Sequence, residues 1–250
     1  MSELCGRAER RIAGLVTRAA NTAGVSALAS AGAPYAPILL AAGRGQRLGG
    51  RGKALVQLAG RSFLERCLDT YRTAATRVHL TAPVVVIGRG DTQIEAHLGA
   101  LGMEFRNGAG PPHLVTNPDP DRGQTSSLQC GLAAVTGSVA GLLIWPIDHP
   151  LVEPGDLVAL VEAARKAPDA PVVLPSHGGR AGHPALVAAS LVEEILALDP
   201  RAPLHAVLRP RRPETVFVER AGPGVVLDLD TPEDLDRATA LLADPPAAIP

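Results

Sequence analysis

The chain has 250 residues, 46% of them hydrophobic but only 2% aromatic, so a sizeable core has to be built from Ala, Val, Leu and Ile. Its 24 Lys and Arg stand against 25 Asp and Glu, a formal charge of −1, which excludes a global field drawing it to nucleic acid or a membrane surface. Cys5, Cys67 and Cys130 fit neither a disulfide framework nor metal-ligand spacing, and no apolar run approaches the roughly 18 residues of a bilayer span, so buried thiols and a cytoplasmic location are expected.

Residues 1–34 are rich in Ala, Gly and Arg. They lack the apolar centre of a secretory signal, and Glu3 and Glu9 count against a transit peptide. Ile12, Leu15, Val16 and Ala19 fall on one helical face, and a weakly ordered extension is expected there. Residues 35–243 alternate strand-like runs with helical patterns. The runs are PILLAA, APVVVIG, HLVTN, GLLIWPI, APVVLPS, HPALVAA, TVFVE and GVVLDLD. The helical segments are SFLERCLDTYRTA, DTQIEAHLGAL, QTSSLQCGLAAV, EPGDLVALVEAARKA, SLVEEILAL and TPEDLDRATALLA. In the last of these Thr231 fits an N-cap, with Pro232 at the first helical position and Glu233 and Asp234 in the first turn. Residues 244–250 form a frayed tail. The alternation predicts an α/β fold, a Rossmann-like three-layer domain with a mostly parallel mixed sheet, and the irregular late strands suggest an antiparallel edge or a small subsheet. Ligands on such sheets bind at the carboxyl ends of the strands.

The first strand runs into ILLAAGRGQRLGGRGK, residues 38–53. As a dinucleotide fingerprint it fails, because Gly43 and Gly45 fit but Leu48 holds the third glycine position. As a P-loop it also fails: Arg47 stands where the first glycine belongs, and Ala54 follows the lysine where a hydroxyl is needed for magnesium. What remains is a small-residue turn at Ala41, Ala42 and Gly43 that lets backbone amides approach a phosphate chain, with Arg47 and Lys53 placed to bracket it. A flexible glycine loop with solvated charges is the competing reading.

This stretch resembles the signature L-A-A-G-x-S-x-R-M-G-x-x-K of the MobA/MocA-like nucleotidyltransferases, which act on sugar phosphates and the molybdenum cofactor. It matches at Leu40, Ala41, Ala42, Gly43, Arg47, Gly49 and Lys53 and departs at Gly45, where relatives often have Ser, and at Leu48, where they have Met. The resemblance implies a nucleotidyltransferase fold and transfer of a nucleoside monophosphate to a phosphorylated acceptor, with Lys53 and Arg47 catalytic and Leu40, Ala41, Ala42, Gly43, Gly45 and Gly49 around the nucleotide.

Nucleotidyl transfer needs Mg2+, which takes one or two carboxylates plus phosphate oxygens. Asp148 closes the apolar run GLLIWPI before Pro150, and a charge at the end of a buried strand needs a partner, water or a metal; a turn or cap aspartate is the alternative. Asp228 and Asp230 alternate at the end of GVVLDLD and share one face if that run is a strand. Both segments resemble the same family, through D-x-P at 148–150 and D-T-P-E-D at 230–234. That likeness implies metal ligation by Asp148 and Asp230, with Asp228 an alternative or supporting ligand. Gly123, Ser126 and Ser127 resemble the family turn along base and ribose, although an N-cap explains one serine equally well. HGGRAGHP, with Arg180 and His183, is similar to the acceptor-facing G-x-x-G-H-P element of the molybdopterin cytidylyltransferase-like branch, a histidine in a surface loop being the alternative. LAAG and SSL lean toward CTP, and the branch adds a molybdoenzyme or its chaperone as a partner. A sugar-phosphate or phosphocholine cytidylyl- or uridylyltransferase, and a non-catalytic nucleotide- or molybdopterin-binding protein, stay open as alternatives.

Overall fold

The computed structural model describes residues 32–43, 45–48, 50, 52–101 and 111–243. Gly49, Cys5, nearly all of the expected N-terminal extension and the 244–250 tail lie outside the described residues.

The apolar runs form a sheet because their alternate residues are buried on both of its faces. The strands are β1 (Tyr35–Leu40), β4 (Val84–Gly88), β5 (His113–Asn117), β6 (Gly141–Pro146), β7 (Val172–His177), β9 (Ala185–Ala188) and β10 (Val216–Glu219), in the spatial order β10-β7-β9-β6-β1-β4-β5. Two-residue strands β2 (Gln57–Leu58) and β3 (Arg61–Ser62) make a separate hairpin, and β8 (Arg180–Ala181) pairs with β7. One sheet face carries Leu39, Val85, Leu143, Trp145 and Val173 against α1 (Phe63–Ala74), α4 (Pro154–Lys166) and α7 (Pro232–Ala243). The other carries Ile38, Val86, Leu142, Ile144 and Val187 against α3 (Gln124–Ala134), α5 (Val192–Ala197) and α6 (His205–Leu208), while Ile94 of α2 (Thr92–Ala100) belongs to the core of the first face. The period-2 alternation of a strand buried on both faces accounts for this split.

Most expected elements are present, with three corrections. Two strands run against the others: β8, which pairs antiparallel with β7, and β9, which is interior rather than at an edge and pairs antiparallel with both β6 and β7, while the edge strand β10 is parallel to β7. GVVLDLD is not a strand. Residues Pro223–Val226 form a 3-10 helix, and 227–230 carry on without a ladder. The alternation persists there, with Leu229 buried and Asp228 exposed, because the segment packs on neighbouring loops and needs no sheet partner. Finally, α6 and the β2–β3 hairpin add elements too short to show a period.

Sequence capping signals position α1 and α7. Ser62 and Glu65 form a capping box at α1, whose residues Phe63, Leu64, Cys67, Leu68, Tyr71 and Ala74 are buried at helical spacing. At α7 the Thr231 hydroxyl accepts the Asp234 amide at 3.2 Å, and the Asp234 carboxylate accepts the Thr231 amide at 2.9 Å. Thr231 therefore caps the helix and leaves the Asp230 carboxylate free for other work.

Candidate functional site

The carboxyl ends of β1 and β6 carry the two parts of the site. Lys53 is brought back beside the small-residue turn by its own amide, which donates to the Gly43 carbonyl at 2.9 Å. Gly45, between them, has φ +57, and a Cβ there would lie 3.0 Å from the Lys53 nitrogen. The serine that relatives often carry would be strained at that position, so glycine here shapes the loop as well as omitting a hydroxyl. Arg47 lies exposed in the same loop, within a 3-10 turn.

Asp148 follows β6, where the Ile147 amide donates to the Leu40 carbonyl and extends the pairing of β1 with β6. The Asp148 carbonyl accepts the Leu229 amide at 2.9 Å, and this one bond brings the segment bearing Asp230 alongside. Lys53 Nζ donates to Asp148 Oδ2 at 2.7 Å and also hydrogen-bonds Asp230 Oδ1. One ammonium thus bridges two carboxylates from distant parts of the chain. Burial by itself would lower the Lys53 pKa, but Asp148 and then Asp230 outweigh it and hold the group above the ordinary lysine value.

The carboxylates fit a hard divalent cation. Asp148 Oδ1 is buried and has no hydrogen-bond partner, and the lysine ammonium stands where positive charge is needed between Asp148 and Asp230. Among the described residues no three His, Cys, Asp or Glu side chains converge in a metal-holding group, and Asp228 does not complete a third ligand. Two carboxylates, with phosphate oxygens and water making up the rest, is a set Mg2+ accepts.

On the β7–β9 side, the His149 ring packs at a tilt against that of His183, with centroids 4.7 Å apart and planes at 50°. His149 follows Asp148 in the D-x-P turn and is buried; sequence reasoning missed it. Burial, and then the neighbouring His183, push its pKa down to about 4 against the opposing pull of Asp148 and Asp228. Burial lowers His183 as well, opposed by Asp148. The Nδ1 atoms of both rings are buried without a partner. His183 is therefore not the free surface residue of the alternative reading, and a neutral ring among carboxylates is poorly suited to hold an acceptor phosphate. Its loop is fixed by its backbone amide, which donates to Val225 O at 2.7 Å, and by Gly182, where a Cβ would fall 2.0 Å from that same oxygen. Arg180 on β8 is exposed.

On the β4–β5 side an open pocket of about 210 Å³ is lined by Ala42, Gly88, Arg89, Asp91, Pro118 and neighbouring Asp119–Asp121. Among the described residues read from the sequence, only Ala42 reaches it. Gly123 precedes α3, and Ser126 and Ser127 are buried in its first turn, where both hydroxyls accept from Asn117 Nδ2 at 2.8 and 2.9 Å. Neither serine is an N-cap; Gly123 holds that position. The serine side chains brace the turn after β5. Leu40 and Ala41 are buried at the root of the phosphate loop.

A family model described as the MobA-like NTP transferase domain matches residues 37–216. The bifunctional protein GlmU of Sorangium cellulosum is 31% identical over 56% of the chain, but the chain spans only 28% of that protein. The molybdenum cofactor guanylyltransferase of Pseudomonas paraeruginosa is 28% identical, with 82% of this chain and 94% of that protein aligned. Among solved structures, Rv0371c of Mycobacterium tuberculosis, 23% identical, superposes at a TM-score of 0.64 over 83% of this chain and 98% of its own. The same protein in complex with manganese gives 0.62 at 22% identity, over 84% and 99%.

Proposed function

Because the chain belongs to the MobA-like NTP transferase domain family, we propose that it transfers CMP from CTP to the phosphate of a molybdopterin-type acceptor and releases pyrophosphate. The observation that carries this reading is the Lys53 ammonium bridging Asp148 and Asp230 beside a glycine phosphate loop. An acceptor phosphate oxygen attacks the α-phosphorus in line, the bond from that phosphorus to the bridging oxygen breaks, and pyrophosphate leaves. That oxygen is already ionised at neutral pH, so no general base is needed. Lys53 and Arg47 stabilise charge on the phosphates. Asp148 and Asp230 would hold Mg2+, with Asp228 supporting from the exposed side; the ion, when bound, neutralises charge shared by the phosphates.

Leu40, Ala41, Ala42, Gly43 and Gly45 surround the nucleotide phosphates, a role the family resemblance gives Gly49 as well, and Gly123 and the backbone of Ser126 and Ser127 lie toward base and ribose. Arg180 and His183 face the acceptor, whose uncharged portion meets the imidazoles. A cytoplasmic protein handing its product to a molybdoenzyme or its chaperone fits this reading. None of the described helices is long and apolar enough to cross a membrane.

The LAAG opening favours CTP. GTP is the second reading, favoured by the guanylyltransferase relative aligned over 94% of its length. Pyrophosphate release from CTP, GTP, ATP and UTP, each with Mg2+ and a molybdopterin-type acceptor, separates the two. Release with CTP alone supports the proposal, release with GTP alone moves it to the second reading, and neither turnover nor thermal stabilisation by any nucleotide refutes both.

A further inference from the structure

We infer that Lys53 acts as an internal counter-ion that keeps the divalent-cation position closed in the free protein, so that the metal enters with the nucleoside triphosphate and not before it. The inference rests on the reading of Asp148 and Asp230 as metal-holding residues and adds an order of events to it.

The geometry makes the two cations exclusive. Lys53 Nζ is 2.7 Å from Asp148 Oδ2 and hydrogen-bonded to Asp230 Oδ1. A magnesium-sized ion held by the two oxygens that Lys53 bonds would need them at about 2.0–2.1 Å. It would fall in the space that the ammonium fills, and the two positive charges would repel each other across a partly buried site. The lysine is also well placed to stay. Its side chain is only 12% exposed, its amide is tied to Gly43, and its stem passes that glycine, where a Cβ would lie 3.8 Å from Lys53 Cβ.

The same arrangement supplies the release. Lys53 stands at the edge of the phosphate loop, so an arriving triphosphate offers the ammonium a more highly charged partner than Asp148. Moving onto the phosphates leaves both carboxylates without their cation at the moment the nucleotide brings one. Asp148 Oδ2, which the ammonium vacates, becomes available to the ion in that exchange. Linkage then requires reciprocity: whatever factor the triphosphate contributes to metal affinity, the metal returns to triphosphate affinity.

The test is Mn2+ binding to the full chain without nucleotide, followed by the loss of the free-ion paramagnetic resonance signal, with thermal melts as a check on folding. Wild type is compared with Lys53→Met, with the polar but neutral Lys53→Gln, with Asp148→Asn and with the double variant Lys53→Met/Asp148→Asn. The inference predicts that both neutral Lys53 variants bind Mn2+ about tenfold or more tightly than wild type, and that the double variant loses the gain. Equal affinity in wild type and both neutral variants, with binding lost in Asp148→Asn, overturns the exclusion while leaving the metal assignment standing. A double variant that binds as well as Lys53→Met shows that the carboxylates do not hold the ion. That result removes the metal assignment, and the inference with it.

Discussion

The two flanks of the Lys53–Asp148–Asp230 cluster differ in the way they leave polar groups. Toward β4 and β5 the wall is open and its polar atoms are engaged: Asp91 Oδ2 accepts the Gly88 amide at 2.8 Å, and Asn117 donates to both serines. Toward β7 and β9 the wall is closed, and His149 and His183 each keep a buried nitrogen without a partner. Buried polar atoms are normally paired. Among the described residues the buried side-chain atoms without a hydrogen-bond partner are those of Asp148, His149 and His183, all at this one place. The braced flank suits a nucleotide that binds a preformed surface. The unsatisfied flank suits a partner that completes it.

Breaking the cluster between the flanks has the largest expected effect. Lys53→Ala should lower pyrophosphate release by about a hundredfold to a thousandfold, the scale of removing one preorganised transition-state donor, with the circular dichroism spectrum retained and the melting temperature lowered, because the two carboxylates lose the ammonium between them. Activity near wild type would contradict the phosphate-loop reading. Next, His149→Gln should raise the KM for acceptor by about tenfold, the scale of about one hydrogen bond, while the KM for nucleotide holds. The converse variant is Arg89→Ala on the open flank, which should raise the nucleotide KM several-fold and leave the acceptor KM in place. If both variants move the same KM, the division into two flanks is wrong.

Gly45→Ser should destabilise the phosphate loop by about 1 kcal/mol, the lower end of the cost of a non-glycine residue in a left-handed conformation, visible as weaker nucleotide binding even though the change restores a residue that relatives often carry. The smallest effect concerns pH. His149 titrates near its ordinary value when unfolded and at about 4 when folded. Between those values the unfolded chain binds the extra proton, so stability falls as pH drops through the interval. His149→Gln should make that part of the melting-temperature profile shallower, leaving the share of His183, whose pKa burial also lowers. Asp234, lowered to about 2, shifts stability in the same direction but in a more acid interval, so the histidine contribution can be read separately.

The sequence makes some of this site legible and hides the rest for identifiable reasons. The loop from Leu40 to Lys53 is readable because its geometry is local: a strand, small residues and two cations in one continuous stretch. Asp148 and Asp230 stand out because each closes an apolar run. Their meeting on Lys53 depends on the pairing of β1 with β6 and on a single bond from Leu229 to Asp148, neither of which leaves a pattern in the chain. His149 escaped because its partner His183 belongs to the loop before β9, and that strand reverses direction in the interior of the sheet. GVVLDLD reads as a strand because burial of alternate residues looks the same against a loop as within a ladder. The serines after Gly123 were rightly placed at a helix start, but the bond that occupies their hydroxyls comes from Asn117 on the preceding strand.

The most direct measurement is transfer of label from [α-32P]CTP, with [α-32P]GTP beside it, to a molybdopterin-type acceptor by wild type and by Asp148→Asn with Mg2+ present. Label is expected on the acceptor with wild type, dependent on the metal, and is expected to be lost in the variant at unchanged thermal stability. Transfer by Asp148→Asn at the wild-type rate, or by wild type with the metal chelated away, would contradict this expectation.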